Sequence, residues 1–149
     1  MISRRMYRFD ALDEALTLLP MAARRALDRA GRHLSLASWQ TLPIPARREL
    51  IALGSEHAVD VGAIVRCLLQ HGAVTREQPT VNDPPEDRTP PEVSRGLGPG
   101  RAIDDALWSR LRALDRFVFA QLAGRAKLER LAAAFDEIME AYGGRRSSE

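Results

Sequence analysis

Two stretches of this sequence share one spacing, WQTLPIPARRELIAL at residues 39–53 and WSRLRALDRFVFAQL at residues 108–122. Each begins with one of the chain's two tryptophans, and Leu, Arg, an apolar residue and Leu follow at the same intervals. The matched positions are Trp39, Leu42, Arg47, Leu50 and Leu53 in the first stretch, and Trp108, Leu111, Arg116, Phe119 and Leu122 in the second. These intervals keep to the period of a helix and not to the alternation of a strand. The sequence therefore predicts two related helical units.

A turn interrupts the first of these stretches. Pro43 and Pro45 exclude one continuous helix, because proline lacks an N–H and its ring clashes with the preceding turn. We predict a short helix that carries the tryptophan, a tight turn, and a second helix that begins at Pro45, since proline is favoured at the first helical position. The second stretch has neither proline nor glycine at residues 111–114. Residues 105–122 therefore form either one helix or two helices with a bend before Arg116.

The composition fits a single soluble domain. A chain of 149 residues can bury about two-thirds of its unfolded surface. Asp and Glu (20) nearly balance Lys and Arg (22), so the net charge of +2 gives no global field that would attract nucleic acid. The N-terminal residues lack the apolar segment of a signal peptide, and the sequence has no run of about 18 apolar residues. We predict a soluble cytoplasmic protein without a membrane span.

Capping residues and apolar stripes predict further helices around the two stretches. These helices are expected over residues 11–19 after the cap Asp10, over 21–30 up to Gly31, from Ser55 or Glu56 to His71, and over 125–142 up to Gly143. Ser35 and either Asp104 or Asp105 are the expected caps of the two tryptophan helices. The chain is thus predicted to be all-α, with about six to eight short helices and two related helix-turn-helix units.

The interval 78–100 separates the two helical parts. It contains six prolines and almost no apolar side chains, a composition that favours extended or turn conformations. We therefore predict a Pro-rich connector at 78–100 within a single helical domain over residues 1–149. The two tryptophan units are expected to pack together across it, because neither half has enough apolar surface to fold alone. The tail at residues 143–149 is predicted to be disordered.

Two segments resemble the nitrate reductase-associated protein family: LPMAARRALDRAGRHLSLASWQTLPIPARREL at residues 19–50 and LWSRLRALDRFVFAQLAG at residues 107–124. The positions that carry the resemblance are Pro20, Met21, Leu27, Asp28, Gly31, Leu34, Trp39, Arg47 or Arg48, Trp108, Leu111, Arg116 and Phe117. The resemblance implies a small helical protein that acts as an accessory or maturation protein for a molybdenum-dependent assimilatory nitrate reductase. In cyanobacteria a similar protein is needed for this reductase to become active.

The chain departs from the family pattern at three positions. Family members commonly carry cysteines where this chain has Leu18, Ala30 and Ser55. Thiol or cluster chemistry that depends on those cysteines is therefore not expected here. The one cysteine present, Cys67, also excludes an intrachain disulfide.

The tryptophans and arginines of the two stretches have a structural interpretation and a functional one. Trp39 and Trp108 each precede a leucine by three residues on a helix, and this local packing pair favours the core over a partner-binding surface. Arg47 and Arg116 each precede an apolar residue by three positions. Their stems are therefore expected on the core, while their guanidinium groups reach a carboxylate or the carbonyls that end the preceding helix.

Other arginines lie in the first half of the chain. Asp28 is expected to form a solvated salt bridge with one that lies a turn away: Arg24, Arg25 or Arg32. An arginine-rich face for nucleic acid is an alternative function, and it would use Arg24, Arg25, Arg29, Arg47 and Arg48. The near-balanced charge disfavours this alternative. Another alternative is a small-ligand-binding domain with an apolar pocket between the two tryptophan units.

The sequence contains no recognised catalytic motif. The sequence has no nucleophile elbow, phosphate loop, dinucleotide fingerprint or paired-carboxylate motif, so we predict no enzymatic activity and no cofactor. Cys67 and His71 have the spacing of two metal ligands on one helix face. A zinc site needs at least three protein ligands, and His33 and His57 have no evident reason to converge there. No metal site is therefore predicted.

Overall fold

A computed structural model describes residues 6–147 and, within them, the side chains as far as Gly143. Over that range the backbone forms eight α-helices, a short 3-10 helix at Arg8–Asp10 and one two-stranded sheet. The predicted all-α class is therefore confirmed. The chain divides into two compact units, which we call unit 1, ending at Asn82, and unit 2, beginning at Asp83.

Unit 1 contains four helices and both short strands. They are α1 (Met21–Ala30), β1 (Arg32–His33), α2 (Leu36–Thr41), α3 (Ile44–Gly54), α4 (Val61–Gln70) and β2 (Arg76–Glu77). Helices α1, α3 and α4 pack on one another, and the apolar side chains that they bury include Leu27, Leu50 and Ile64. The strands pair antiparallel with Arg32 opposite Glu77.

Small residues let α1 and α3 approach closely. Ala22, Ala23 and Ala26 of α1 are fully buried, and Gly54 at the end of α3 lies against the main chain of Ala22. A Cβ atom on Gly54 would stand 1.7 Å from the carbonyl oxygen of Ala22. Any side chain at position 54 would therefore force the two helices apart.

Unit 2 contains the other four helices. They are α5 (Pro91–Leu97), α6 (Asp105–Arg110), α7 (Ala113–Gly124) and α8 (Leu128–Ser147). Helices α5, α7 and α8 pack on one another, and Val93, Val118, Leu131 and Ile138 are buried apolar side chains of these helices.

Several helix ends lie where the sequence predicts them. Ser35 caps α2 by accepting a hydrogen bond from the Ser38 N–H at 3.1 Å, and Asp104 caps α6 through the Leu107 N–H at 2.7 Å. Gly31 ends α1 in the left-handed region with φ 66°, as expected for a glycine at a helix C-terminus. Leu111 and Arg112 are extended, with ψ of 153° and 155°. Residues 105–122 therefore form two helices with a bend between them.

The predicted helix over residues 11–19 is wrong. The Asp13 side chain accepts hydrogen bonds from the N–H and hydroxyl of Thr17, and Leu16 has a positive φ of 53°. Such local bonds to a carboxylate compete with helix formation. Asp10 instead accepts a hydrogen bond from the N–H of Met21 at 3.2 Å. Asp10 thus accepts from the first N–H of helix α1, eleven residues later, and caps no helix that directly follows it.

The helix expected from Ser55 or Glu56 begins later than predicted. Helix α4 begins at Val61, with Asp60 as its cap. The guanidinium of Arg25 donates to the carbonyls of Glu56 and His57. A helix in this segment would need those carbonyls for its own ladder, so the buried arginine explains the delayed start.

Helices are present at two places where the sequence predicts none. The interval 78–100 includes helix α5, with Val93 and Leu97 buried, because Pro91 stands in its first turn, where proline is tolerated, and the two apolar residues are four apart. Helix α8 begins at Leu128, after residue 125, and continues past residue 143 to Ser147. The end of the predicted tail, residues 148–149, lies outside the described residues. A single domain in which the tryptophan units pack together stays a prediction.

Candidate functional site

Trp39 and Arg47 together fasten the segment before α1 in unit 1. Trp39 is fully buried on α2, and its indole N–H donates to the Leu16 carbonyl at 2.7 Å. Arg47 on α3 donates from Nη1 to the Ala15 carbonyl at 2.6 Å. We call Trp39 and Arg47 the first Trp–Arg anchor.

Arg47 also closes the C-terminal end of α2. Its Nε donates to the Leu42 carbonyl at 3.0 Å, and its Nη2 donates to the Gln40 carbonyl. The last carbonyls of a helix have no partner within the helix, and a cation there is favoured by the helix dipole. The guanidinium therefore serves as a side-chain cap that also fixes the turn between α2 and α3.

Unit 2 contains a second Trp–Arg anchor, Trp108 and Arg116. Trp108 is fully buried, and its indole N–H donates to the Pro85 carbonyl at 2.6 Å. Arg116 donates to the carbonyls of Leu111 and Trp108 at the end of α6 and to the Glu86 carboxylate at 3.3 Å. The sequence repeat thus recurs as a repeated set of contacts.

The two anchors hold equivalent upstream segments. Each indole N–H bonds a carbonyl 23 residues before its tryptophan. The residue after each tryptophan repeats this interval, since the Gln40 amide donates to the Thr17 carbonyl and the Ser109 hydroxyl donates to the Glu86 carbonyl. An upstream segment is therefore an integral part of each repeat, although those segments share no obvious sequence pattern.

Asp28 and Gly31 form a second fastening point in unit 1. The Gln78 side chain donates to the Asp28 carboxylate at 3.1 Å, and the Gln78 N–H donates to the Gly31 carbonyl at 3.0 Å. A Cβ atom on Gly31 would lie 3.0 Å from the Gln78 carbonyl oxygen. These two positions thus tie the chain after β2 to the end of α1, a contact with Gln78 that the sequence did not predict.

The other predicted site residues divide by exposure. Pro20, Met21 and Phe117 are buried, whereas Arg48 is exposed. Arg48 and Ile51 line an open cleft of about 1000 Å³ in unit 1, whose wall also includes Tyr7, Leu12, Asp13 and Glu14. Arg48 is therefore the predicted residue best placed to touch a partner.

Arg25 was missed as a structural residue. It is fully buried, and its Nη1 donates to the Gly54 carbonyl at 2.9 Å. Its place on the apolar side of α1, between Ala22 and Ala26, is the signal that could have identified it. Two of the five arginines of the alternative nucleic-acid face, Arg25 and Arg47, are buried and bonded to main-chain carbonyls and so do not contribute to an exposed basic surface.

Glu49 completes a group of possible metal ligands that the sequence did not predict. Its carboxylate lies with the Cys67 thiol and the His71 imidazole. Cys67 is buried, and burial together with the Glu49 carboxylate raises the pKa of the thiol to about 12. Glu49 is on α3, Cys67 is on α4 and His71 directly follows α4, so the packing of these two helices brings the three side chains together.

The fold and anchors define a class of helical protein with two copies of a Trp–Arg fastened unit. A family model described as conserved nitrate reductase-associated protein matches residues 6–138, and the chain belongs to this family. Comparisons with curated proteins and with solved structures found no match. Among the helices of residues 6–147, none combines the length and apolar character needed to cross a lipid bilayer.

Proposed function

We propose that this protein is a non-enzymatic accessory protein of a molybdenum-dependent assimilatory nitrate reductase, which it binds, mature or as a precursor, through a helical face. The family match over residues 6–138 is the observation that carries the proposal, because the family is described by its association with nitrate reductase. A cytoplasmic location, expected from the sequence, is part of the same proposal.

The hydrogen bonds made by the buried charged side chains support a binding role for the protein over a catalytic one. Arg25, Arg47 and Arg116 donate to main-chain carbonyls, and the Asp115 carboxylate accepts from Arg112 and from the Tyr142 hydroxyl. A group that is committed in this way cannot serve a substrate without leaving buried polar atoms unpaired, which costs about 1–3 kcal/mol for each group. These contacts therefore favour a structural role for the buried charged groups, in a protein that acts by offering a binding surface to a partner.

We place the reductase contact at the cleft that Arg48 lines. Arg47 fixes the first turn of α3 through the carbonyls that end α2, and this orients the next residue, Arg48, toward solvent. The cleft combines the charges of Arg48, Asp13 and Glu14 with apolar surface from Leu12 and Ile51. Such a mixture suits a protein partner, which supplies both charged and apolar groups.

The proposal is tested by deleting the gene in the native host. Growth on nitrate should be lost and growth on ammonium retained, and reductase activity should fall while the reductase transcript is unchanged. These results would place the action after transcription. Normal growth of the deletion strain on nitrate would contradict the proposed role.

The contact face is tested by reintroducing variants into that strain. Arg48→Glu reverses the charge at the cleft and should reduce both growth on nitrate and retention of the reductase on the tagged protein. Arg66→Glu is the matched control, because Arg66 is an exposed arginine of unit 1 that lies on α4 and does not line the cleft. Equal behaviour of the two variants would move the contact away from Arg48.

A further inference from the structure

Three side chains of different chemistry, each of a kind that ligates metal ions, meet in unit 1. A carboxylate oxygen of Glu49, the Sγ of Cys67 and an imidazole nitrogen of His71 all lie within 4.8 Å of one another. Cys67 and His71 are on successive turns, since the His71 N–H donates to the Cys67 carbonyl at 3.3 Å. Glu49 reaches them from the neighbouring helix α3. The group therefore depends on the tertiary packing of α3 against α4.

We propose that Glu49, Cys67 and His71 bind one divalent transition-metal ion of the zinc type. Thiolate sulfur, imidazole nitrogen and carboxylate oxygen are the three kinds of ligand that proteins give to Zn²⁺, whereas Mg²⁺ and Ca²⁺ prefer oxygen alone. Three protein ligands leave the fourth tetrahedral position for water or for a side chain of a partner. The site is independent of the proposed contact with the reductase.

The exposure of the three residues suits capture of an ion from solution. Glu49 and His71 are exposed and Cys67 is buried, with its Sγ held 4.0 Å from the Ala46 carbonyl oxygen. The buried sulfur gives a fixed point, and the two exposed side chains can turn toward it to reach metal–ligand distances of about 2.0–2.3 Å. Binding replaces the S–H bond of Cys67 with a metal–sulfur bond, and the proton leaves to solvent.

The bound ion would link α3 to α4. Glu49 lies on α3, whereas Cys67 and His71 lie at the C-terminal end of α4. The three side chains meet between the two helices. Coordination would therefore join the two helices through a metal ion and would stabilise the folded state as the free ion concentration rises. The expected readouts are metal binding and thermal stability, and neither requires a reductase.

The test is titration of the metal-free chain of residues 1–149 with Co²⁺, followed by competition with Zn²⁺. One equivalent of Co²⁺ should produce a thiolate-to-cobalt charge-transfer band and tetrahedral d–d bands, and Zn²⁺ should remove them. Zn²⁺ should also raise the melting temperature. Cys67→Ser should lose the charge-transfer band.

Glu49→Gln and His71→Gln should leave the fold intact, because both side chains are exposed, so their Co²⁺ binding can be measured. Each should weaken Co²⁺ binding by at least about tenfold, since even the loss of an outer-shell partner costs about 10–100-fold in affinity. His57→Gln is the matched control, because His57 is an exposed histidine outside the group, and it should bind Co²⁺ like the parent chain. Absence of a thiolate band in the parent chain, or unchanged affinity in Glu49→Gln and His71→Gln, would overturn the proposal.

Discussion

Unit 1 and unit 2 use the same anchor but surround it with different charges. In unit 1 the guanidinium of Arg47 contacts main-chain carbonyls, including those of Ala15 and Leu42. In unit 2 Arg116 makes the equivalent contacts at the end of its preceding helix and also reaches the carboxylate of Glu86. The shared part is thus the pairing of a buried tryptophan with an arginine that caps a helix, and the carboxylate is an addition.

The units also differ in how they bury a further charge and where they use glycine. Unit 1 buries Arg25, which clamps the carbonyls after α3, whereas unit 2 buries Asp115, which is held by Arg112 and Tyr142. Gly54 in unit 1 faces backbone, but Gly96 in unit 2 faces the end of a leucine side chain. The repeat therefore conserves the anchor geometry while the packing around it has changed.

The largest expected effect is loss of either tryptophan. Trp39→Ala and Trp108→Ala should each cost about 3–5 kcal/mol in the free energy of unfolding, because each leaves a large cavity, and each also leaves a carbonyl without its indole partner. Urea denaturation followed by circular dichroism gives the measurement. A variant that unfolds like the parent chain would show that its tryptophan is not part of the core.

Glycine-to-alanine substitutions should reduce stability by different amounts in the two units. Gly54→Ala should destabilise the chain by about 3 kcal/mol, at the upper end of overpacking costs, because its Cβ would stand 1.7 Å from a backbone carbonyl oxygen. Gly96→Ala meets a movable Leu131 methyl group at 2.7 Å and should cost about 1 kcal/mol.

Gly124→Ala is the control for this pair, since a Cβ at that position meets no atom within 4 Å. It should leave stability unchanged or slightly increased, because alanine favours helix over glycine. Equal losses from Gly54→Ala and Gly96→Ala in thermal denaturation would refute the stated difference in packing.

Removal of an anchor arginine should cost less than removal of a tryptophan. Arg47→Met and Arg116→Met keep much of the apolar stem and leave buried carbonyls unpaired, so we expect losses of about 2–3 kcal/mol in each case. Arg48→Met, one residue away and exposed, should change stability by less than about 0.5 kcal/mol. Chemical denaturation of the three variants would contradict the anchor role if all three behaved alike.

The smallest expected effect is at the carboxylate that distinguishes unit 2. The side chain of Glu86 is 66% exposed, so its pair with Arg116 is screened by solvent and Glu86→Gln should cost less than about 1 kcal/mol. The cost should shrink further in high salt. A loss as large as that of Arg116→Met would mean that the carboxylate, and not the carbonyls, carries the second anchor.

The sequence predicted the features that depend on neighbours within a helix or turn. The shared spacing placed Trp39 and Trp108 on helices, and Ser35 and either Asp104 or Asp105 were expected as caps because capping acts over three residues. The upstream partners of the anchors could not be predicted, since Leu16 and Pro85 contribute only a carbonyl, which any residue type supplies.

Two further errors come from contacts between distant segments, and a third is local. Arg25 delays the start of α4 by binding carbonyls about thirty residues away along the chain, and no local pattern contains that information. Glu49 joins Cys67 and His71 only after α3 packs on α4. Helix α5 was not predicted, because the prolines around Pro91 indicate a connector more strongly than two apolar residues four apart indicate a helix.

The shared anchor is tested most directly by hydrogen exchange of the two indole N–H groups, measured by nuclear magnetic resonance on the ¹⁵N-labelled chain. Both groups donate to carbonyls from fully buried side chains, so both should exchange far more slowly than an indole in an unfolded peptide. Protection should be lost at Trp39 in Arg47→Met and at Trp108 in Arg116→Met. Exchange of either indole in the parent chain at the unfolded rate would contradict the account.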